Sequence, residues 1–345
     1  MNETFKAQSA VELAVVERSG FIESRHLGSA IVVDTAAADT GQTLIELGAV
    51  DEPVLTRSCL KPFQAIACME LGVPLSGLTA ALATASHNAE FGQVEVVEKM
   101  LASVNLSEAD LQCPSVAPAD RDARIATRGS GRLTSPLYYN CSGKHAAFLM
   151  AQKLTGEPVK DYLDPESRIQ RHVRAVVERY CGQAPLYTGI DGCGAPVHAL
   201  DLRHLALGIG RVGARTTPEA ATLMEGVFAE PWAIEGHGAP NSVVIERLGV
   251  FAKIGAEGVL VMSTPAGVAV AVKTLDGASR ANTLIALELL VAAGALSAES
   301  ALDVLGDVVP AITGGTKSDG TVRTVGEIKT AERIRQLLHE RAVGA

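Results

Sequence analysis

The chain opens on short apolar runs that alternate with polar positions. VELAVVERSGFIESRHLGSAIVVDTA carries β-branched stretches broken at Ser19-Gly20 and Leu27-Gly28, which predicts a meander of strands. The period then changes. In PFQAIACMELGV apolar residues recur every three or four positions, which predicts a helix. Pro62 at its head suits a first helical turn, where φ is preset and the N–H is not needed. Ser107 followed by acids in SEADLQ is a capping signature. From Pro114 to Ser135 the chain is polar and rich in Arg, Gly and Ser, and reads as a long surface loop, a connector or a lid. Helical spacing returns in HAAFLMAQKL after Lys144, in PESRIQRHVRAVVERYC, in APVHALDLRHLAL and in PEAATLMEGVFAE. Strands follow in VFAKIG, GVLVMST and GVAVAVKTLD, and a helix in ANTLIALELLVAAGAL. Strands at both ends of the chain can pair into one antiparallel sheet, with helices from roughly 60 to 245 grouped beside it. The expectation is an α+β fold and one catalytic domain over residues 1–345.

Composition narrows the class. With 47% hydrophobic and 20% charged residues the chain can bury a large core. A formal net charge of −9 disfavours nucleic acid and anionic membranes as partners. Only 4% of residues are aromatic, too few for base-stacking platforms. No apolar run is long enough to span a bilayer, and MNETFKAQSAVELAV lacks the basic-then-apolar order of a secretory signal. A cytoplasmic protein is expected, with its six cysteines reduced.

GIGRVG at 208–213 fits G-x-G-x-x-G, but it follows leucines at helical spacing rather than a strand. It reads as a helix-ending turn. The chemistry-bearing elements lie elsewhere. Ser58-Cys-Leu-Lys61 puts a hydroxyl and an amine three residues apart, on one face of a helix. A lysine whose charge is disfavoured by burial can take the proton of a serine. Taken alone this pattern is more often structural. Ser86-His-Asn88 and Lys253-Ile-Gly255 follow, in the chain order S-x-x-K, S-x-N, K-T-G of serine hydrolases of the β-lactamase type. Here His87 and Ile254 fill the middle positions. Ser86 would relay a proton, and Lys253 would hold positive potential over the pocket. Lys253 is preferred over Lys273 for this role, because K-x-G opens its strand; Lys273 reads as a strand-end cap. Cys141 in NCSGKH and Cys193 in DGCG lie in Gly-rich loops. Free cysteines are usually small buried hydrophobes, yet two thiolates and a third ligand can also bind zinc.

RSCLKPFQA, ATASHNAEFG, YYNCSGKHAAF, DGCGAPVHAL and AKIGAEG together resemble the asparaginase II family, the thermolabile rhizobial-type L-asparaginases. The resemblance runs roughly from Val11 to Leu290. It implies a fold like that of serine β-lactamases and glutaminases, and hydrolysis of L-asparagine to L-aspartate and ammonia. It implies two Ser–Lys pairs, Ser58 with Lys61 and Ser86 with Lys253, and a substrate site containing Arg57, Asn88, His145 and Asp191. It implies one zinc ion on Cys141, Lys144 and Cys193 that tunes substrate affinity, and a homodimer. Tyr139 stands where the family often has asparagine, and EGHGAPNSVVIERL departs from the family's usual stretch. The competing readings are a glutaminase, a β-lactam-type serine hydrolase, or a non-catalytic module binding zinc or an amino acid.

Overall fold

A computed structural model describes residues 3–37 and 40–344. Its strands are β1 (Val11–Arg18), β2 (Phe21–Asp34), β3 (Gln42–Leu47), β4 (Val54–Leu55), β5 (Tyr187–Ile190), β6 (Pro196–Leu200), β7 (Phe251–Gly255), β8 (Val259–Ser263), β9 (Val268–Thr274), β10 (Ile312–Thr316) and β11 (Val322–Thr330). The main sheet runs β10-β11-β1-β2-β9-β8-β7, with β3 also on β2, and its pairings are antiparallel. N-terminal and C-terminal strands therefore share one sheet, as the alternating segments predict. Every residue of β8 is buried, so both faces of the sheet are covered there.

The helices are α1 (Lys61–Glu70), α2 (Gly77–Thr84), α3 (Phe91–Ala102), α4 (Arg121–Ser130), α5 (Ser142–Leu154), α6 (Arg168–Cys181), α7 (Leu202–Gly213), α8 (Pro218–Ala229), α9 (Pro240–Leu248), α10 (Asn282–Ala292), α11 (Ala298–Val308) and α12 (Glu332–Gly344). α7 and α10 pack on β8 and β9. α5 lies at the centre of the helical layer, buried from Ser142 to Gln152.

Several segments differ from the sequence reading. PVHAL is not helical. It forms β6, paired with β4 and β5 in a small second sheet, and α7 starts only after Asp201, whose carboxylate caps it by accepting from the His204 N–H at 2.8 Å. GIGRVG is not a turn but the second half of α7. A Cβ on Gly208 would meet the Cys181 sulfur at 2.5 Å, and one on Gly213 would strike Ser263 of β8, so these glycines let the helix lie close to its neighbours. The 114–135 segment contains α4, capped by Asp120, and its base is closed by backbone bonds between Val116 and Ser135. The Ser107 signature caps a single 3-10 turn rather than a longer helix. The late strands β10 and β11, which weak alternation conceals, extend the sheet past β1.

The first turn of α5 rests on α2. A Cβ on Gly143 would collide with the Leu82 carbonyl oxygen. Gly143→Ala should therefore lower unfolding free energy by about 1–3 kcal/mol, as overpacking of a tight contact does. Urea unfolding measures this; an unchanged midpoint would show that the two helices have room to part.

Candidate functional site

Three elements converge on Ser86. α2 ends at Thr84 and the chain extends, so that the Ser86 N–H donates to the Ile234 carbonyl and the Asn88 N–H to the Glu235 carbonyl, both at 2.8 Å. Ser86 stands half-buried at this seam. Lys61, the first residue of α1, donates from Nζ to the Ala85 carbonyl, to Ser86 Oγ at 3.0 Å and to the Asn140 carbonyl at 3.3 Å. Lys253, on the edge strand β7, reaches Ser86 Oγ at 2.7 Å and the Ile254 carbonyl at 2.8 Å. Both lysines are buried. Burial is the main force lowering the pKa of each. For Lys253 the charge of Lys61 adds to it, and the amine is pushed down to about 7. Near neutrality Lys253 can therefore lose its proton and accept one from Ser86, while Lys61 donates to the same oxygen. Lys273 lies elsewhere, donating to the Glu257 and Thr274 carbonyls at the end of β9.

Ser58 sits in a 3-10 turn (Arg57–Leu60) that leads directly into α1. Pro62 is in that helix's first turn, as expected. The Lys61 N–H donates to the Ser58 carbonyl. The ammonium of Lys61, however, goes to Ser86, and the Ser58 hydroxyl makes no hydrogen bond among the described residues. The glycine of K-x-G has a visible use. A Cβ on Gly255 would meet the Thr56 carbonyl at 3.1 Å and the Cys59 sulfur at 3.2 Å, so its absence lets the Ser58 turn approach β7. Arg57 adopts φ +49°, uncommon for a residue with a Cβ. Its Nε donates to Asp191 Oδ1 at 2.9 Å, and the same oxygen takes the Gly192 N–H at 2.8 Å. One carboxylate thus ties the Ser58 turn to the DGCG loop. Arg57 also lines a cleft of about 590 Å³ with Glu257, Lys273, Leu55 and Tyr187.

The thiols form a second cluster beside the first. α5 begins three residues earlier than the sequence suggested, so Cys141 is its N-cap and Lys144 lies in its first turn. Lys144 Nζ donates to Cys193 Sγ at 3.1 Å. A hydrogen bond from Cys193 is the largest influence on Cys141; with Lys61 and Lys144 nearby it outweighs burial and holds Cys141 well below the usual thiol range. Cys193, its proton shared with Cys141 and its sulfur buried, is pushed up. Burial opposes the charge on Lys144, but the two sulfurs outweigh it and raise its pKa. The arrangement sets two thiols, with Cys141 drawn toward its thiolate, beside two lysines.

Tested for zinc, the cluster offers two sulfur donors of the right softness. The third donor would be Lys144, which would have to exchange its proton for the metal. Among the described residues no group of three His, Cys, Asp or Glu side chains is placed to hold a metal ion. His145 Nδ1 pairs with the Tyr162 hydroxyl at 2.8 Å, and its Nε2 is buried without a partner among the described residues. Asn88 is half-buried, and its carbonyl accepts the Asp120 N–H at 2.7 Å. Two residues of the neighbourhood carried no sequence signal of their own. Asn140 offers its carbonyl to Lys61, and Glu235 holds Asn241 through its N–H at 3.0 Å and its side-chain amide at 2.8 Å.

The fold and site define a class: an α+β protein with a buried hydroxyl–amine centre beside a thiol–amine cluster. The L-asparaginase II family model matches residues 14–329. The chain belongs to the L-asparaginase II family, whose chemistry is asparaginase-type amide hydrolysis. No curated protein matches. Among solved structures the chain is similar to a β-lactamase from Mycobacterium bovis, 16% identical, covering 81% of this chain and 94% of that one with a TM-score of 0.38. No helix among the described residues is long and apolar enough to cross a membrane.

The low pKa of Lys253 has a consequence for stability. The unfolded chain keeps a proton on this lysine up to the ordinary value of 10.5, whereas the folded chain releases it near 7. Stability from this residue is thus lost as pH falls through about 7 and gained as pH rises toward 10.5. Relative to Lys253→Met, the native protein should gain up to about 1.4 kcal/mol per pH unit between pH about 7 and 9. Urea unfolding of both at several pH values reads this difference; parallel curves would show that Lys253 keeps its charge.

Proposed function

We propose that the chain is an L-asparaginase that hydrolyses L-asparagine to L-aspartate and ammonia through Ser58, Lys61, Ser86 and Lys253. The observation that carries this reading is the convergence of Lys61 and Lys253 on Ser86, one of them with a pKa of about 7. Ser58, at the entrance of α1, attacks the side-chain amide carbon of asparagine. With substrate bound its hydroxyl comes within reach of Lys61, which takes the proton. Free N–H groups at the start of the turn, Ser58's own among them, face the developing oxyanion. Ser86, between the two amines, passes a proton through Lys253 to leaving ammonia. Water then cleaves the acyl-enzyme with the same groups in reverse.

Arg57, Asp191, Asn88 and His145 belong to the substrate site in this reading. Arg57 offers charge for the α-carboxylate, and Asp191 fixes it. Zinc would be held by Cys141, Lys144 and Cys193, where it would supply positive charge that tunes substrate affinity. A homodimer and a cytoplasmic location complete the proposal.

Ammonia release from L-asparagine, measured with and without a chelator, is the primary test. Turnover of glutamine or of a chromogenic β-lactam in its place would favour the related hydrolases, and bound metal or amino acid without turnover would favour a binding module. Lys61→Met should lower kcat by about a hundred- to ten-thousand-fold; near-normal turnover would remove it as the base. Mass-spectrometric mapping of a trapped acyl adduct should place it on Ser58, and an adduct on Ser86 would reverse the roles of the two serines. Because the relay needs Lys253 neutral, kcat should rise with pH through about 7. That rising limb should vanish in Lys253→Met.

A further inference from the structure

His87, between Ser86 and Asn88, makes no hydrogen bond to either lysine among the described residues, yet it is buried at the seam between the two clusters. Its Nδ1 accepts the Ala89 N–H at 3.1 Å. Ala89 has φ +63°, a left-handed conformation that a residue with a Cβ seldom adopts. The ring thus braces a strained turn directly after Ser86. With Nδ1 occupied as an acceptor, the neutral ring carries its proton on Nε2, which donates to Ser142 Oγ at 2.8 Å. Ser142 Oγ donates onward to the Leu137 carbonyl at 2.9 Å. The His87 N–H donates to the Asn140 carbonyl at 3.2 Å, the same oxygen that receives Lys61. Ser142 is the residue between Cys141 and Gly143. These bonds therefore join the Ser86 turn to the start of the helix that bears Cys141 and Lys144. Burial, with the charge of Lys61 adding to it, pushes the imidazole down to about 3, so the ring is no proton carrier near neutral pH.

We propose that His87 is a positioning residue that, through Ser142, sets Ser86 between Lys61 and Lys253 and holds the Ser–Lys centre in register with the thiol cluster. This rests on the amide-hydrolase reading above. The ring's hydrogen bonds go to Ser142 and Ala89 and not to the Ser86 hydroxyl. It acts by fixing where the Ser86 hydroxyl points, and a shift of about 1 Å in such a group costs on the order of a hundredfold in rate. The charged or titratable groups that face Lys253, and hence report on the geometry, are Lys61, Cys59, Glu235 and Cys141.

The test compares His87→Ala, His87→Gln, Ser142→Ala and the double variant His87→Ala/Ser142→Ala, each checked for fold by circular dichroism. His87→Ala should lower kcat for asparagine about a hundredfold with KM within about threefold, and should move the rising pH limb away from about 7. His87→Gln, whose amide can still donate to Ser142, should recover about tenfold of that loss. Ser142→Ala should fall in the same direction, and the double variant should be no more than about threefold worse than His87→Ala, because the two act as one unit. A folded His87→Ala with near-native kcat and an unmoved limb overturns the proposal. So does a double variant whose losses multiply. If His87→Ala does not fold, Ser142→Ala and His87→Gln decide: native kcat and limb in both overturn it. Titration of Lys253 by NMR on ¹³C-lysine protein keeps the two readings separable. Wild type that releases no ammonia defeats the hydrolase reading, while a Lys253 titration that is the same in wild type, His87→Gln and Ser142→Ala defeats the role of His87.

Discussion

Two amines buried against one hydroxyl set the terms for everything around them. Removing an ammonium from water costs several kcal/mol even after relaxation, so each lysine must find acceptors or lose its charge. They solve this differently. Lys61 Nζ has three oxygens around it, yet burial still lowers its pKa. Lys253 has two oxygens and sits beside Lys61, and its pKa falls to about 7. The asymmetry matters for chemistry. Burial pushes both amines toward their neutral form, so that Lys61 can serve as a base while Lys253 takes up or releases a proton at little cost near neutral pH.

The thiol cluster belongs to the same electrostatic unit. Cys141 is drawn toward its thiolate by Cys193, Lys61 and Lys144, and the negative charge it supplies offsets part of what the lysines lose on burial. Its desolvated neighbours behave otherwise. Cys59, walled in behind β7, is pushed up to about 12 and stays a thiol. The fold provides this neighbourhood by bringing together the start of α1, the end of α2, the start of α5 and the edge strand β7. Two glycines make the approach possible: Gly143 lets α5 rest on α2, and Gly255 lets the Ser58 turn lie against β7. A Cβ at Gly143 would force the Leu82 backbone to move, and one at Gly255 would make its neighbours give by a few tenths of an ångström.

The short motifs were legible because each is a local statement. S-x-x-K fixes the turn that opens α1, K-x-G belongs to a strand, though it closes β7 rather than opening it, and DGCG marks a tight loop. Long strands and long amphipathic helices such as α6 were equally plain. What the sequence concealed is tertiary. PVHAL satisfies helical and strand patterns alike, and only pairing with β4 and β5 decides for the strand. The glycines of α7 look like breakers until the sulfur of Cys181 and the hydroxyl of Ser263 are seen against them. Spacing puts Ser58 and Lys61 on one face, but the four-carbon stem of Lys61 carries its charge to Ser86, on another element. Local periodicity has no access to that choice.

Arg57 shows how the two clusters are held as one. A left-handed backbone at a non-glycine residue costs on the order of 1–3 kcal/mol and persists only where surrounding contacts over-determine it. The contact here is Asp191, which accepts from the Arg57 guanidinium and from the Gly192 N–H through one oxygen. Cys193 is two residues further along the same loop, and Ser58 immediately follows Arg57. The clusters are therefore fastened at both ends, by Lys61 on Asn140 at one side and by Arg57 on Asp191 at the other. A charged ligand that competes for Arg57 would pull on the thiol loop and on the Ser58 turn together. The strain in the Arg57 backbone is then the cost of making a single carboxylate answer to both.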